Sequence, residues 1–214
     1  KWKDTPINER AEILYKAADI LQERIVELSD ILIREIAKDR KSAESEIKRT
    51  ADFIRFTADI SKSIYGESIQ SDSFPGFDKK KLSIIVREPM GVVLAISPFN
   101  YPINLAASKI APALVAGNTV VFKPATQGSL CGLYLAKIFE EAGVPNGVLN
   151  TITGKGTDIG DYVVTHPNID FINFTGSSEV GRRISQIINM VPVLMELGGK
   201  DAAIVLKDAD LDLA

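Results

Sequence analysis

The sequence predicts an α/β fold in which a doubly wound parallel sheet follows a layer of helices. Three observations predict it. Apolar residues recur at helical spacing over 6–65, short β-rich runs alternate with helical segments from Leu82 onward, and several of those runs are apolar on both faces. The last pattern belongs to parallel strands covered on both sides, and the alternation implies right-handed crossovers.

The helical layer occupies 1–66. Ala11, Leu14, Ala17, Ala18, Leu21, Ile25 and Leu28 form one stripe within 6–39, with charged residues between them. Thr5 is the expected N-cap, with Pro6 at the first helical position. A second stripe, Ile47, Ala51, Ile54 and Ala58, predicts a helix over 42–65. The polar stretch 66–78 holds Pro75 and Gly76, reads as a loop, and leads into the basic run 79–81. Over 82–214, strands are expected at 82–87, 92–96, 119–122, 148–152, 169–174, 193–196 and 202–205. Helices are expected at 102–114, 128–142, 159–165 and 179–188. The chain reads as one unit, 1–214, with no internal repeat.

With 45% hydrophobic and 25% charged residues, the 214-residue chain can bury a sizeable core. A net charge of −3 gives no footprint for nucleic acid or an anionic membrane, and no apolar run reaches the ~20 residues of a membrane span. Cys131 is the single cysteine, which excludes an internal disulfide and fits a reducing, cytoplasmic setting. It lies on an apolar helix face and reads as core. His166 reads as a helix-end residue, and no His, Cys or acid cluster has metal-ligand spacing. There is no initiator Met, and 208–214 resembles a helix start, so both ends are expected to be cuts.

In open α/β sheets ligands bind beyond the carboxyl ends of strands. Four polar, Gly/Pro-punctuated turns stand there: Ser97-Pro98-Phe99-Asn100-Tyr101-Pro102, Lys123-Pro124-Ala125-Thr126, Thr175-Gly176-Ser177-Ser178 and Glu196-Leu197-Gly198-Gly199-Lys200. Each has an ordinary alternative. Asn100 could cap a helix, Lys123 could be a solvated strand-end lysine, 176–178 a plain connector, and Glu196 a surface acid.

Taken in order and spacing, Ser97-Pro98-Phe99-Asn100, Ala116-Gly117-Asn118 leading to Phe122-Lys123-Pro124, Phe174-Thr175-Gly176-Ser177 and Glu196-Leu197-Gly198-Gly199-Lys200 resemble the aldehyde dehydrogenase superfamily across almost the whole chain. The resemblance implies a Rossmann-like cofactor domain that needs no G-x-G-x-x-G. Asn100 would donate its amide to the substrate oxyanion, and Glu196 would activate water. Lys123 would bind the adenosine ribose or its phosphate, while Ile96, Ser97, Pro98 and Phe99 would line the cofactor groove. Phe174, Thr175, Gly176, Ser177 and Val180 would surround the pyrophosphate at a helix N-terminus, and Leu197 and Gly198 would pack by the nicotinamide. The family's nucleophilic cysteine lies downstream of Glu-Leu-Gly-Gly, so this chain is expected to lack it and to be inactive alone. The family's N-terminal strands and oligomerisation arm are also expected to be missing, and the full protein is expected to be a homo-oligomer.

Within the family, threonine at 126 stands where NAD-preferring members carry a glutamate. Its neutrality favours NADP over NAD, although Thr126 could also merely cap the next helix. Ile47-Lys48-Arg49-Thr50-Ala51, Lys79-Lys80-Lys81, Asn150-Thr151-Ile152-Thr153-Gly154 and Gly160-Asp161-Tyr162 resemble the branch that oxidises glyceraldehyde 3-phosphate to the acid without phosphorylating it. That resemblance implies Arg49 and Tyr101 as substrate-phosphate ligands, with Arg49 as a surface helix residue the alternative. A relative acting on lactaldehyde or a semialdehyde, or a non-catalytic nucleotide-binding module, remain the other readings.

Overall fold

Three helices lead the chain, α1 (Ile7–Glu23), α2 (Ile25–Ile36) and α3 (Arg40–Ser61). The computed structural model describes residues 1–73, 75–76 and 81–213. The stripes read from spacing are the buried ones: Ala11, Leu14, Leu21, Leu28, Ile47, Ala51, Ile54 and Ala58 are at most 1% exposed. Each fully buried Leu or Ile adds about 1.5–3 kcal/mol by leaving water. The start of α1 differs from expectation. Pro6, at φ −55° and ψ 144°, is itself the N-cap, because its extended ψ holds it outside the helix. Thr5 Oγ1 turns back to the Lys1 carbonyl instead of capping. α3 stops short of Tyr65: the amides of Lys62, Ser63 and Ile64 bond three residues back, tightening the chain out of the helix.

β1 (Glu67–Gln70) and β2 (Leu82–Ile85) pair antiparallel, with Glu67 opposite Ile85. The stretch expected as a loop thus carries a strand, and the 82–87 run lies outside the main sheet. All eight residues are exposed, so no burial alternation marks β1 in the sequence. Positions 74 and 77–80 of the expected loop and basic run lie outside the described residues.

The main sheet follows: β3 (Val92–Ile96), α4 (Asn104–Val115), β4 (Thr119–Lys123), α5 (Ser129–Glu141), β5 (Leu149–Thr151), α6 (Gly156–Val164), β6 (Phe171–Thr175), α7 (Ser178–Ile187) and β7 (Val193–Glu196). Its order is β5-β4-β3-β6-β7, all parallel. Successive residues of a strand face opposite ways, and both faces are covered. Val93, Ala95, Val120 and Phe122 join the core shared with α1–α5, while Leu94, Ile172 and Phe174 pack with Val164 of α6 and Ile184 of α7. The β5–α6–β6 connection carries the chain past β3 to the other half of the sheet. The winding therefore reverses between β3 and β6, which is where such sheets bind ligands.

The expected strand at 202–205 does not form. Ile204 and Val205 are exposed in irregular chain, and 202–205 pairs with no described strand, the open edge of β7 included. The expected helix start near 208 is a set of turns instead, and Ala214 lies outside the described residues. Among the described residues no helix is long and apolar enough to cross a membrane.

Candidate functional site

Four helices begin at the carboxyl end of the sheet, and the N-termini of two, α4 and α5, are already filled. Glu35 of α2 accepts the amides of Leu130 (2.7 Å) and Cys131 (2.8 Å) at the start of α5. Glu46 of α3 accepts those of Ile103 (2.9 Å) and Asn104 (3.1 Å) at the start of α4. These carboxylates satisfy orphan amides and complement the helix dipoles. α7 differs: Ser177 caps it by accepting the Val180 amide (3.2 Å), while the Ser178 and Glu179 amides have no partner among the described residues. An anion placed at this end of the sheet finds free donors at α7 and at α6, whose Gly156 and Thr157 amides likewise have no partner among the described residues. Gly176 belongs there for steric reasons, since a Cβ would stand 2.5 Å from the Phe174 ring.

A groove of about 780 Å³ runs along the switch point, lined by Ile96, Lys123, Thr126, Phe174 and Val180, with Lys155 and Arg183 at its rim. Lys123 is 6% exposed, yet the one hydrogen bond of its ammonium among the described residues is a 3.5 Å contact to the Pro124 carbonyl. Burial pushes its ammonium below the ordinary lysine range. Thr126 is held by one long bond, 3.4 Å to the Gly154 carbonyl. Both are weakly committed donors that a phosphate would satisfy better. Another cleft of about 520 Å³ lies beside β5 and contains none of the candidate residues.

The turn after β3 stands at the other end of the site. Ser97 is buried with its hydroxyl unpartnered, Pro98 is half-buried, and Phe99 and Asn100 are exposed. Asn100 Oδ1 accepts the Tyr101 amide (3.1 Å), which leaves the Asn100 NH2 without a partner among the described residues. Arg49 is exposed on α3, between Glu46 and Thr50, both of which bond this turn or the helix after it. Glu196 is exposed at the end of β7, paired with Thr175 of β6, and its carbonyl accepts the Gly176 amide (3.2 Å). Leu197 packs on Gly181 of α7, and the Gly198 carbonyl accepts Ser178 Oγ (3.1 Å).

Several site residues were not picked out from sequence. Lys109 is 3% exposed on α4, and its Nζ donates to Thr175 Oγ1 at 2.7 Å. Burial pushes its ammonium down to about 8, against an opposing pull from Glu196. A lone lysine inside the apolar run 104–115 was the available signal. The folded value lies below the ordinary 10.5, so the penalty for burying the charge is full below about pH 8 and fades as pH rises to 10.5. Lys109→Met is therefore expected to raise Tm by roughly 2–6 °C at pH 7, with no gain left above pH 10.5. Thermal unfolding at both pH values checks this; an unchanged or lower Tm at pH 7 would mean that Thr175 and Glu196 compensate the charge fully.

The aldehyde dehydrogenase family model matches residues 1–214. The chain is 55% identical over 213 residues to an NADP-dependent glyceraldehyde-3-phosphate dehydrogenase of Streptococcus equinus, covering 100% of this chain and 45% of the relative. The enzyme of that name from Triticum aestivum is 50% identical over 214 residues, covering 99% of this chain and 43% of the relative. Among solved structures, the NADP-dependent glyceraldehyde-3-phosphate dehydrogenase of Bacillus halodurans C-125, complexed with NADP, superposes with a TM-score of 0.92 at 56% identity, covering 99% of this chain and 44% of that one. The chain thus spans less than half the length of these relatives.

Proposed function

The chain belongs to the aldehyde dehydrogenase family, and from that premise we propose that it is the cofactor-binding portion of an NADP-dependent enzyme oxidising glyceraldehyde 3-phosphate to 3-phosphoglycerate. The observation that carries this reading is the buried, under-bonded Lys123 beside Thr126 in the switch-point groove. A buried ammonium without a strong partner fits a 2′-phosphate, and Thr126 adds a donor where a carboxylate would repel it.

The residues present fit the cofactor along its length. Lys123 and Thr126 hold the 2′-phosphate, and Ile96, Ser97, Pro98 and Phe99 line the path. The free first-turn amides of α7 take the pyrophosphate next to Phe174, Thr175, Gly176, Ser177 and Val180. Leu197 and Gly198 border the nicotinamide end. Bound NADP supplies the hydride acceptor. Asn100 NH2 donates to the carbonyl oxygen as negative charge develops on it, and Tyr101 and Arg49 hold the substrate phosphate. Glu196 takes a proton from the water whose oxygen enters the acid. The net change is aldehyde, water and NADP+ to carboxylate, NADPH and two protons.

Cys131 does not serve as nucleophile. It is fully buried on α5, and burial with neighbouring Glu35 pushes its thiol up, away from the reactive thiolate. The attacking thiolate comes from outside these 214 residues, and the chain alone is inactive. The test is NADP reduction by the full-length protein given glyceraldehyde 3-phosphate without inorganic phosphate. Turnover much faster with NADP than with NAD is expected, and none from residues 1–214 alone. Activity on lactaldehyde or a semialdehyde with none on glyceraldehyde 3-phosphate would overturn the substrate.

A further inference from the structure

Lys38 is a linker residue between α2 and α3, outside every motif above and far in sequence from residues 97–102, yet it reaches the turn after β3. Its Nζ donates to the Asn100 carbonyl at 2.9 Å, stands 3.6 Å from the centre of the Tyr101 ring, and pairs with Glu46 Oε2. Glu46 is itself wholly buried, and its other oxygen accepts the amides of Ile103 (2.9 Å) and Asn104 (3.1 Å). Two side chains from the helical layer therefore grip the turn on both sides of Pro102: Lys38 holds residues 100–101 and Glu46 holds 103–104. The backbone accepts strain to arrange this. Ala37 is the only described non-glycine residue with positive φ, 56°, and that left-handed step ends α2 and sends Lys38 toward the turn.

Among the described residues the Asn100 side chain has only its Oδ1 contact to the next amide to orient it. The aim of its NH2 is thus set by the main chain of residues 100–101. We propose that Lys38 and Glu46 are positioning residues that aim the Asn100 amide at the developing oxyanion and the Tyr101 ring at the substrate. This rests on the reading of Asn100 as the oxyanion donor. Neither side chain lines the cofactor groove, so the pair acts on turnover and substrate binding, and cofactor binding is untouched.

The test uses the full-length protein. Removing Lys38 alone strands a buried carboxylate and risks unfolding. The informative variant is Lys38→Met/Glu46→Gln, which removes both charges together and keeps a Gln oxygen for the two amides. Its kcat is expected to fall about 10–100-fold, the cost of misaimed groups, with KM for the aldehyde raised and the NADP dissociation constant, read by fluorescence titration, within twofold. Introduced into Asn100→Ala, the same pair is expected to lower kcat no further. An independent, multiplicative loss in that background would overturn the proposal, as would an unaltered kcat in the pair variant or a parallel loss of NADP binding. An unaltered kcat in Asn100→Ala alone would instead overturn the reading of Asn100, and the positioning role with it.

Discussion

Glu196→Gln in the full-length protein is expected to cut steady-state turnover by about 10²–10⁴-fold while sparing a first-turnover burst of NADPH. The geometry separates the two phases. Glu196 is fixed by its place on β7 opposite Thr175 and by its carbonyl's bond to the Gly176 amide. Its carboxylate is exposed to water and near the Lys109 ammonium. Glutamine keeps the volume and the backbone bond but cannot take a proton, so water activation fails and the groove is unchanged. On the proposed reading the attacking thiol is not supplied by this chain and Asn100 still stabilises the first oxyanion, so the first hydride is still delivered. Rapid-mixing absorbance checks this. Loss of the burst in step with the steady state would place Glu196 in the first half of the reaction, and an unaltered steady state would remove it from the chemistry.

The parts of this site legible in sequence are those whose local pattern has one structural solution. β3 and β4 are buried apolar runs ending in polar turns, and the helical stripes of α1 and α3 became core as spaced. Ser177, read as part of a turn between strand and helix, caps α7. What sequence hid depends on distant partners. Glu35 and Glu46 look like solvated acids on amphipathic helices, and only packing shows them capping α5 and α4. Those caps leave the free donors at this end of the sheet to α6 and α7, a division no local motif encodes. Lys109 stood out only as a charge in an apolar run, and its role needs Thr175 and Glu196 brought from β6 and β7. β1 and the 202–205 run erred in opposite directions: β1 carries no burial alternation yet pairs with β2, whereas 202–205 is apolar yet pairs with no described strand, although β7 stands at the sheet's edge.

Thr126→Glu is expected to lower kcat/KM for NADP by about 10²-fold and to raise it severalfold for NAD. The charge effect is large because the site is partly enclosed: like charges about 4 Å apart repel by up to about 4 kcal/mol at an intermediate dielectric, and salt screens some of this at an open groove. Little is lost from the fold itself, since Thr126 is exposed and its hydroxyl makes only a 3.4 Å bond to Gly154. The new carboxylate also stands near Lys123, which has no strong partner, and the two would pair. That pairing removes the ammonium from the 2′-phosphate while offering the carboxylate to the two ribose hydroxyls of NAD. Thr126→Gln, of equal size and no charge, separates charge from bulk and is expected to lose NADP efficiency by less than tenfold. Specificity ratios for the three proteins at low and high salt decide the matter. A ratio for Thr126→Glu within threefold of the parent would move the 2′-phosphate away from Lys123 and Thr126, and Lys155 at the same groove's rim would be the next position to vary.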